Sequence, residues 1–241
     1  MCTVSFIPIQ KNDFILTSNR DESPKRGLSS IHHESHNGVK ILSPKDKKAG
    51  GTWIACSDTG KLVCILNGAF EKHQHTPPYR RSRGLMAIDF FSFYSAHDFF
   101  KTYQFEGMEP FTMIIWDQTQ LFEFRWDGKQ QFITEMNPHQ PHIWSSCTLY
   151  PKDIQTKRKG WFDQWINNKP VFNTKNIIDF HKKGGDGDIE NDFLMNRNGI
   201  VQTVSITSVK KTGNLFTMEY HDLLTLQKDK SKLNITRELV E

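Results

Sequence analysis

An α+β fold of antiparallel sheets with helices layered against them is what this sequence predicts, and three observations carry it. Apolar runs with the alternation and the β-branched or aromatic composition of strands recur through the chain. Short polar turns join neighbouring runs, which makes them hairpins and the sheets antiparallel. Two stretches, residues 81–105 and 153–183, lose that alternation and take up helical spacing, so helices arrive in pairs between blocks of strands.

The first hairpin joins residues 1–9 to the run Asp13-Phe14-Ile15-Leu16-Thr17-Ser18 through Gln10-Lys11-Asn12-Asp13. A two-residue loop of Lys11 and Asn12 sets Gln10 opposite Asp13 and makes opposed residue numbers sum to 23, so that Cys2 faces Asp21. A loop one residue longer brings Arg20 or Glu22 closer instead. Residues 20–51, with Pro24, Gly27, His32-His33, Asn37-Gly38 and Pro44, read as a long irregular loop. Residues 52–56 and 61–67 form a second hairpin around Ser57-Asp58-Thr59-Gly60. Two helices follow within 81–105, with Ser95 capping the second. Strands return at 111–116, 121–126 and 131–134, with a short one at 142–146. Helices at 153–168 and 174–183 end at Gly184-Gly185-Asp186-Gly187-Asp188. Strands at 200–209 and 215–220 precede a polar, charged tail from about residue 227.

At 241 residues and 37% hydrophobic content, the chain 1–241 suits one large domain better than two. No apolar run reaches membrane-spanning length and the N-terminus lacks the regions of a signal peptide, so the expected address is cytoplasmic. Cys2, Cys56, Cys64 and Cys147 form no Cys-x-x-Cys pair, which agrees with a reducing compartment. The net charge of +4 is spread out, and the runs at residues 45–48, 80–83 and 157–159 read as solvated faces without the signature of a nucleic-acid module. The partner class left is a small molecule. The oligomeric state is not legible.

Position 2 carries the most chemistry. Loss of Met1 leaves one residue bearing both a thiol and an α-amine, and that amine titrates near pKa ~7.7–8, so nucleophile and base become one residue. Read alone, a cysteine here is a small inert side chain, and Asn19-Arg20-Asp21-Glu22 is a solvated ion-pair cluster or helix cap.

Met1-Cys2, the apolar hairpin, Asn19-Arg20-Asp21-Glu22, Gly50-Gly51-Thr52-Trp53 and Gln202-Thr203-Val204-Ser205-Ile206-Thr207, in that order, resemble the NRDE family, also called the transport and Golgi organisation protein 2 family. That family is similar to N-terminal-nucleophile hydrolases of the bile salt hydrolase and penicillin V acylase type. The resemblance implies a four-layer αββα sandwich and cleavage of a linear carbon–nitrogen amide through a thioester at Cys2. Asp21 would then orient the amine, Arg20 would hold that carboxylate or favour the thiolate, and Asn67 would donate to the oxyanion. Read alone, Asn67 in Asn67-Gly68 is a turn residue. Asn19, Trp53 and Ser146 are the candidates for substrate contact. One departure is that Ser145-Ser146 stands where the family has Ser-Asn, and Arg197 is the candidate for a late arginine of the hydrolases. The alternative is a non-catalytic carrier of haem or of an acyl or lipid ligand. No cofactor is implied, and no metal: His73-Gln74-His75 and His139-Gln140-Pro141-His142 lack a second pair, and residues 186–192 lack the glycine and terminal acid of a calcium loop.

Overall fold

The computed structural model describes residues 3–26, 30–46 and 50–236. One antiparallel sheet has the order β10 (His142–Ser145), β1 (Thr3–Gln10), β2 (Asp13–Glu22), β12 (Val201–Thr212), β13 (Leu215–Asp222), β14 (Lys228–Asn234), with β11 (Asn196–Arg197) paired to β12. The other runs β3 (Ile31–His36), β4 (Val39–Pro44), β5 (Ile54–Ser57), β6 (Leu62–Asn67), β7 (Phe111–Asp117), β8 (Gln120–Trp126), β9 (Gln131–Met136).

The two sheets meet through aromatic residues, with the rings of Phe14 and Trp116 4.7 Å apart and those of Trp53 and Tyr220 6.4 Å apart. Outside the second sheet lie α1 (Arg83–Asp89) and α2 (Ala96–Thr102), whose Phe99 and Phe100 pack on Phe124. Outside the first lie α3 (Lys152–Asn167) and α4 (Thr174–Lys183), whose Phe162, Ile177 and Phe180 cover Ile7 and Ile15. This is the αββα sandwich, and it explains why β1, β2 and β7 are buried along nearly their whole length: both faces of each are covered. No helix among the described residues is long and apolar enough to cross a membrane.

The sequence reading of the elements is corrected in three places. Residues 20–51 are not one loop: β2 runs on to Glu22, and a hairpin of β3 and β4 follows. Its two-residue turn has Asn37 at φ 50° and Gly38 at φ 79°, the left-handed pair of a type I′ turn. The tail holds the edge strand β14, where Lys228, Lys230 and Lys232 alternate outward. Charged side chains on an edge deter pairing with another chain, so a polar segment makes a good last strand. Third, Gln10 does face Asp13, but the ladder shifts between Pro8 and Gln10, and from Pro8↔Phe14 to Thr3↔Asn19 opposed numbers sum to 22. The expected pairing of Cys2 with Asp21 lies outside the described residues.

Candidate functional site

Strand alternation splits the four polar residues at the end of β2 between two faces. Arg20 and Glu22 point between the sheets and line a cavity of about 590 Å³; Asn19 and Asp21 point toward α3, α4 and the loop that follows them. Trp53, Asn67, Arg83 and Glu109 line the same cavity.

Arg20 is only 3% exposed. Its guanidinium donates to Asp46 Oδ2 at 2.6 Å and to the Arg26 carbonyl at 2.7 Å, and lies 4.3 Å over the Trp53 ring. Burial pulls its pKa below the ordinary guanidinium value, with Asp46 opposing. Arg26 shares Asp46 at 2.8 Å and reaches Glu22 at 3.1 Å. The carboxylate that holds Arg20 is therefore Asp46, which replaces the expected pairing of Arg20 with Asp21.

Gly50-Gly51-Thr52-Trp53 shapes the opposite wall. A Cβ on Gly51 would sit 2.5 Å from the carbonyl carbon of Gly84, so only glycine lets this loop touch the start of α1. Thr52 N–H donates to Gly84 O at 3.2 Å, and its hydroxyl to Pro44 O at 2.6 Å. The contact brings Arg83 to the cavity, where it pairs with Glu109 at 3.0 Å. Burial lowers the Arg83 pKa while Glu109 opposes it. Burial alone would raise Glu109, but Arg83, His73 and His75 outweigh it and hold the carboxyl below its usual range. This pair left no local signal in the sequence, because Arg83 and Glu109 sit on elements that only the fold brings together.

Asn67 ends β6, and its side-chain amide makes no hydrogen bond to another described residue. Ser146 donates its hydroxyl to the Asn67 carbonyl at 2.8 Å, so it braces the end of β6. Ser146 follows β10, whose Ser145 pairs with Thr3, and Asn67 is thereby tied to the start of β1.

On the other face Asp21 is 3% exposed and accepts from Thr203 Oγ1 at 2.6 Å and from the Tyr150 hydroxyl at 2.8 Å. Thr203 stands directly opposite Asp21 in the β2–β12 ladder, which gives the Gln202-Thr203 motif its physical sense. Tyr150 had no role in the sequence reading, and neither had Arg158, which that reading took for part of a solvated run. Arg158 is fully buried, because Lys157 and Lys159 face outward on α3 while the residue between them faces in. It lies 3.6 Å over the Tyr150 ring and donates to Thr3 Oγ1, Asn191 O and Asp192 O. Arg197 flanks the same ring at 5.4 Å.

Asn19, expected at the substrate, is fully buried away from the cavity. Its Nδ2 donates to Phe193 O at 2.6 Å and His181 O at 3.2 Å, and its Oδ1 accepts from His181 Nδ1 at 2.7 Å. The other ring nitrogen of His181 accepts from Ser5 Oγ at 2.7 Å. Burial, reinforced by Arg158, pulls His181 down to about 3. Asn19 thus bolts α4 to β2. Of the seven candidates, Arg20, Trp53 and Asn67 share the cavity, Ser146 and Asp21 stand beside the start of β1, Asn19 lies apart, and Cys2 lies outside the described residues.

Comparison with known proteins agrees with the architecture. A variant of conjugated bile acid hydrolase from Clostridium perfringens superposes with a TM-score of 0.66 at 10% identity, over 98% of this chain and 95% of that one. A second variant of the same protein gives 0.60 at 9% identity, over 98% of each chain. At such identities the likeness is one of fold, the N-terminal-nucleophile hydrolase sandwich. Uncharacterized protein YGR127W of Saccharomyces cerevisiae is 34% identical over 123 residues, 48% of this chain, and the match spans about a third (34%) of that relative's length. The family model described as Transport and Golgi organisation 2 matches residues 1–183.

Proposed function

From the premise that this chain belongs to the Transport and Golgi organisation 2 family and has the N-terminal-nucleophile hydrolase fold, we propose that it is a cysteine amide hydrolase whose nucleophile is Cys2, exposed by loss of Met1. One observation supports this reading above the others. A buried carboxylate, Asp21, lies two residues along β2 from Asn19, which pairs with Thr3; an amide without a described partner, Asn67, is tied through Ser146 to the strand that also pairs with Thr3; and Cys2 precedes Thr3 in the chain.

In the proposed cycle the Cys2 α-amine accepts the thiol proton and the sulfur attacks the amide carbonyl. Asn67 Nδ2 donates to the oxyanion. Collapse breaks the carbon–nitrogen bond, the amine leaves with the proton, and water then hydrolyses the thioester. Asp21, fixed by Tyr150 and Thr203, orients the amine. Arg20 and Trp53 form the wall against which a small-molecule substrate lies. The ion pairs of that wall suit a polar amide better than the acyl or lipid ligand of the carrier alternative. The reading assigns the protein to the cytoplasm, where its unpaired Cys56, Cys64 and Cys147 stay reduced.

The test is a panel of N-acyl amino acids and simple amides assayed for time-dependent product release, with Cys2→Ser beside the wild type and intact mass to read residue 1. The expected result is loss of Met1 and turnover that Cys2→Ser abolishes. Retained Met1 in protein made in a cell competent to remove it, or turnover that survives Cys2→Ser, overturns the mechanism. Haem binding lost in Cys2→Ser, without hydrolysis of any amide, selects the carrier.

A further inference from the structure

We infer that the trough beside Tyr150 is a binding site for a small organic or inorganic anion bearing a carboxylate or phosphate group. The inference stands apart from the chemistry proposed at Cys2.

A cavity of about 660 Å³ has Tyr150 and Phe70 in its walls and four cations around it, Lys72, Arg125, Lys152 and Arg197, against a single carboxylate, Glu71. A smaller cavity of about 280 Å³ adjoins it, shares Arg125 and Lys152, and adds Lys159. What matters is which of these charges are already answered. Arg125 pairs with Glu123 at 2.8 Å and Lys159 with Asp163 at 2.5 Å. Lys72, Lys152 and Arg197 have no carboxylate partner among the described residues. Arg197 is held only by neutral acceptors, Leu149 O and Asn191 Oδ1 at 3.0 Å and Glu190 O at 3.1 Å, with its guanidinium over Tyr150.

The Arg20 cavity is the internal control. It gathers four arginines, as many as the lysines and arginines of the trough together, yet each is paired: Arg20 and Arg26 with Asp46, Arg81 with Asp89, Arg83 with Glu109. Like charges crowded into a concave, partly desolvated wall repel and focus a positive potential outward, which an anion relieves. The guanidinium of Arg197 is pre-oriented by its three bonds, which use Nε–H and both Nη2–H groups, and leaves the two N–H groups of Nη1 to donate to an oxyanion. The two lysines are exposed and free to close on it. Tyr150 joins the two regions: it lines the trough, and its buried side chain bonds Asp21 through the hydroxyl, so the trough lies one residue from the candidate site.

Isothermal titration at constant ionic strength, balanced with KCl, tests this with two probes, inorganic phosphate and succinate. The wild type is expected to bind at least one of them in a 1:1 complex. Lys152→Glu is expected to weaken that probe at least tenfold, Arg197→Gln to do likewise, and Lys232→Glu, which makes the same charge change on β14, to leave it unaltered. Which probe wins separates a phosphate site from a carboxylate site. The inference is overturned if neither probe binds, if Lys152→Glu binds as the wild type does, or if Lys232→Glu weakens binding as much as Lys152→Glu. Lys72 and Lys152 are exposed, so Lys72→Ala with Lys152→Ala gives a folded variant should Arg197→Gln fail to fold.

Discussion

Acid should unfold this protein partly through one histidine, and the size of the effect follows from where His181 sits. The ring is fully buried, its Nδ1 donates to Asn19 and its Nε2 accepts from Ser5. Asn19 already spends its Nδ2 on two carbonyls, so Asn19 Oδ1 must accept and the histidine must be the neutral tautomer with hydrogen on Nδ1. A second proton would put a charge in the core beside Arg158, and burial with that neighbour brings the pKa from 6.5 to about 3. Between those values the unfolded chain binds a proton that the folded one refuses. Stability therefore falls as pH falls from about 6.5, by about 1.4 kcal/mol per pH unit, and the loss levels off below about pH 3.

From pH 7 to pH 5 this one group costs about 2 kcal/mol. Carboxylates also contribute to acid unfolding, so the assay is a difference. Urea denaturation of wild type and His181→Gln is measured at both pH values; glutamine keeps a donor and an acceptor and cannot take the proton. The variant is less stable at neutral pH, and its deficit should shrink by about 2 kcal/mol at pH 5, near 1 M in urea midpoint for an m of about 2 kcal/mol/M. A deficit that stays the same at both pH values would refute the reasoning, because it would mean that His181 titrates alike in both states.

Other outcomes follow from the same contacts. Asn19→Ala strands the Phe193 and His181 carbonyls and the His181 Nδ1 hydrogen, and should cost about 3 kcal/mol or more in chemical denaturation. Gly51→Ala drives a methyl into the Gly84 backbone and should lower Tm through a loss of about 1–3 kcal/mol. Cys2 should be the cysteine that limiting iodoacetamide labels first in native protein, since burial pushes Cys64 up to about 12 and raises Cys56 and Cys147; preferential labelling of any of those three, read by peptide mapping, counts against the site.

How much of this was legible in the sequence depends on how far each cue reaches. The hairpins, the cap at Ser95, which accepts from Asp98 N at 3.1 Å, and both helix pairs follow from neighbours a few residues apart. Asn37-Gly38 was a hairpin signal of the same kind, but β3 carries His32, His33, Glu34 and His36, and its polar alternation concealed it. The shift near Ile9 turns on a single residue, which is why the ladder sum misled at the far end of β1. Arg158 was misread because a local charge run says nothing of which side chain faces in; its partners Thr3, Asn191 and Asp192 come from elsewhere in the chain. The candidate site suffered most, since Asp46, Tyr150 and Thr203 answer Arg20 and Asp21 only through the fold.

That long-range answering decides how the proposed mechanism has to be probed. Burying a charged group costs several kcal/mol unless partners offset it, and Arg20 and Asp21 are each offset by residues on other elements. The motif at the end of β2 is therefore a structural knot whether or not it serves catalysis, and alanine there would unfold the protein and abolish any activity for a trivial reason. Asp21→Asn separates the two roles. It keeps the shape and one acceptor oxygen, and the Tyr150 and Thr203 hydroxyls can each rotate to accept from its new N–H groups, so stability should fall by only about 1–2 kcal/mol. A hydrolase that relies on the carboxylate to orient an amine should nonetheless lose turnover about a hundredfold or more, well beyond the fraction unfolded. Turnover reduced only in proportion to the unfolded fraction in urea would leave Asp21 its structural part and take it out of the mechanism.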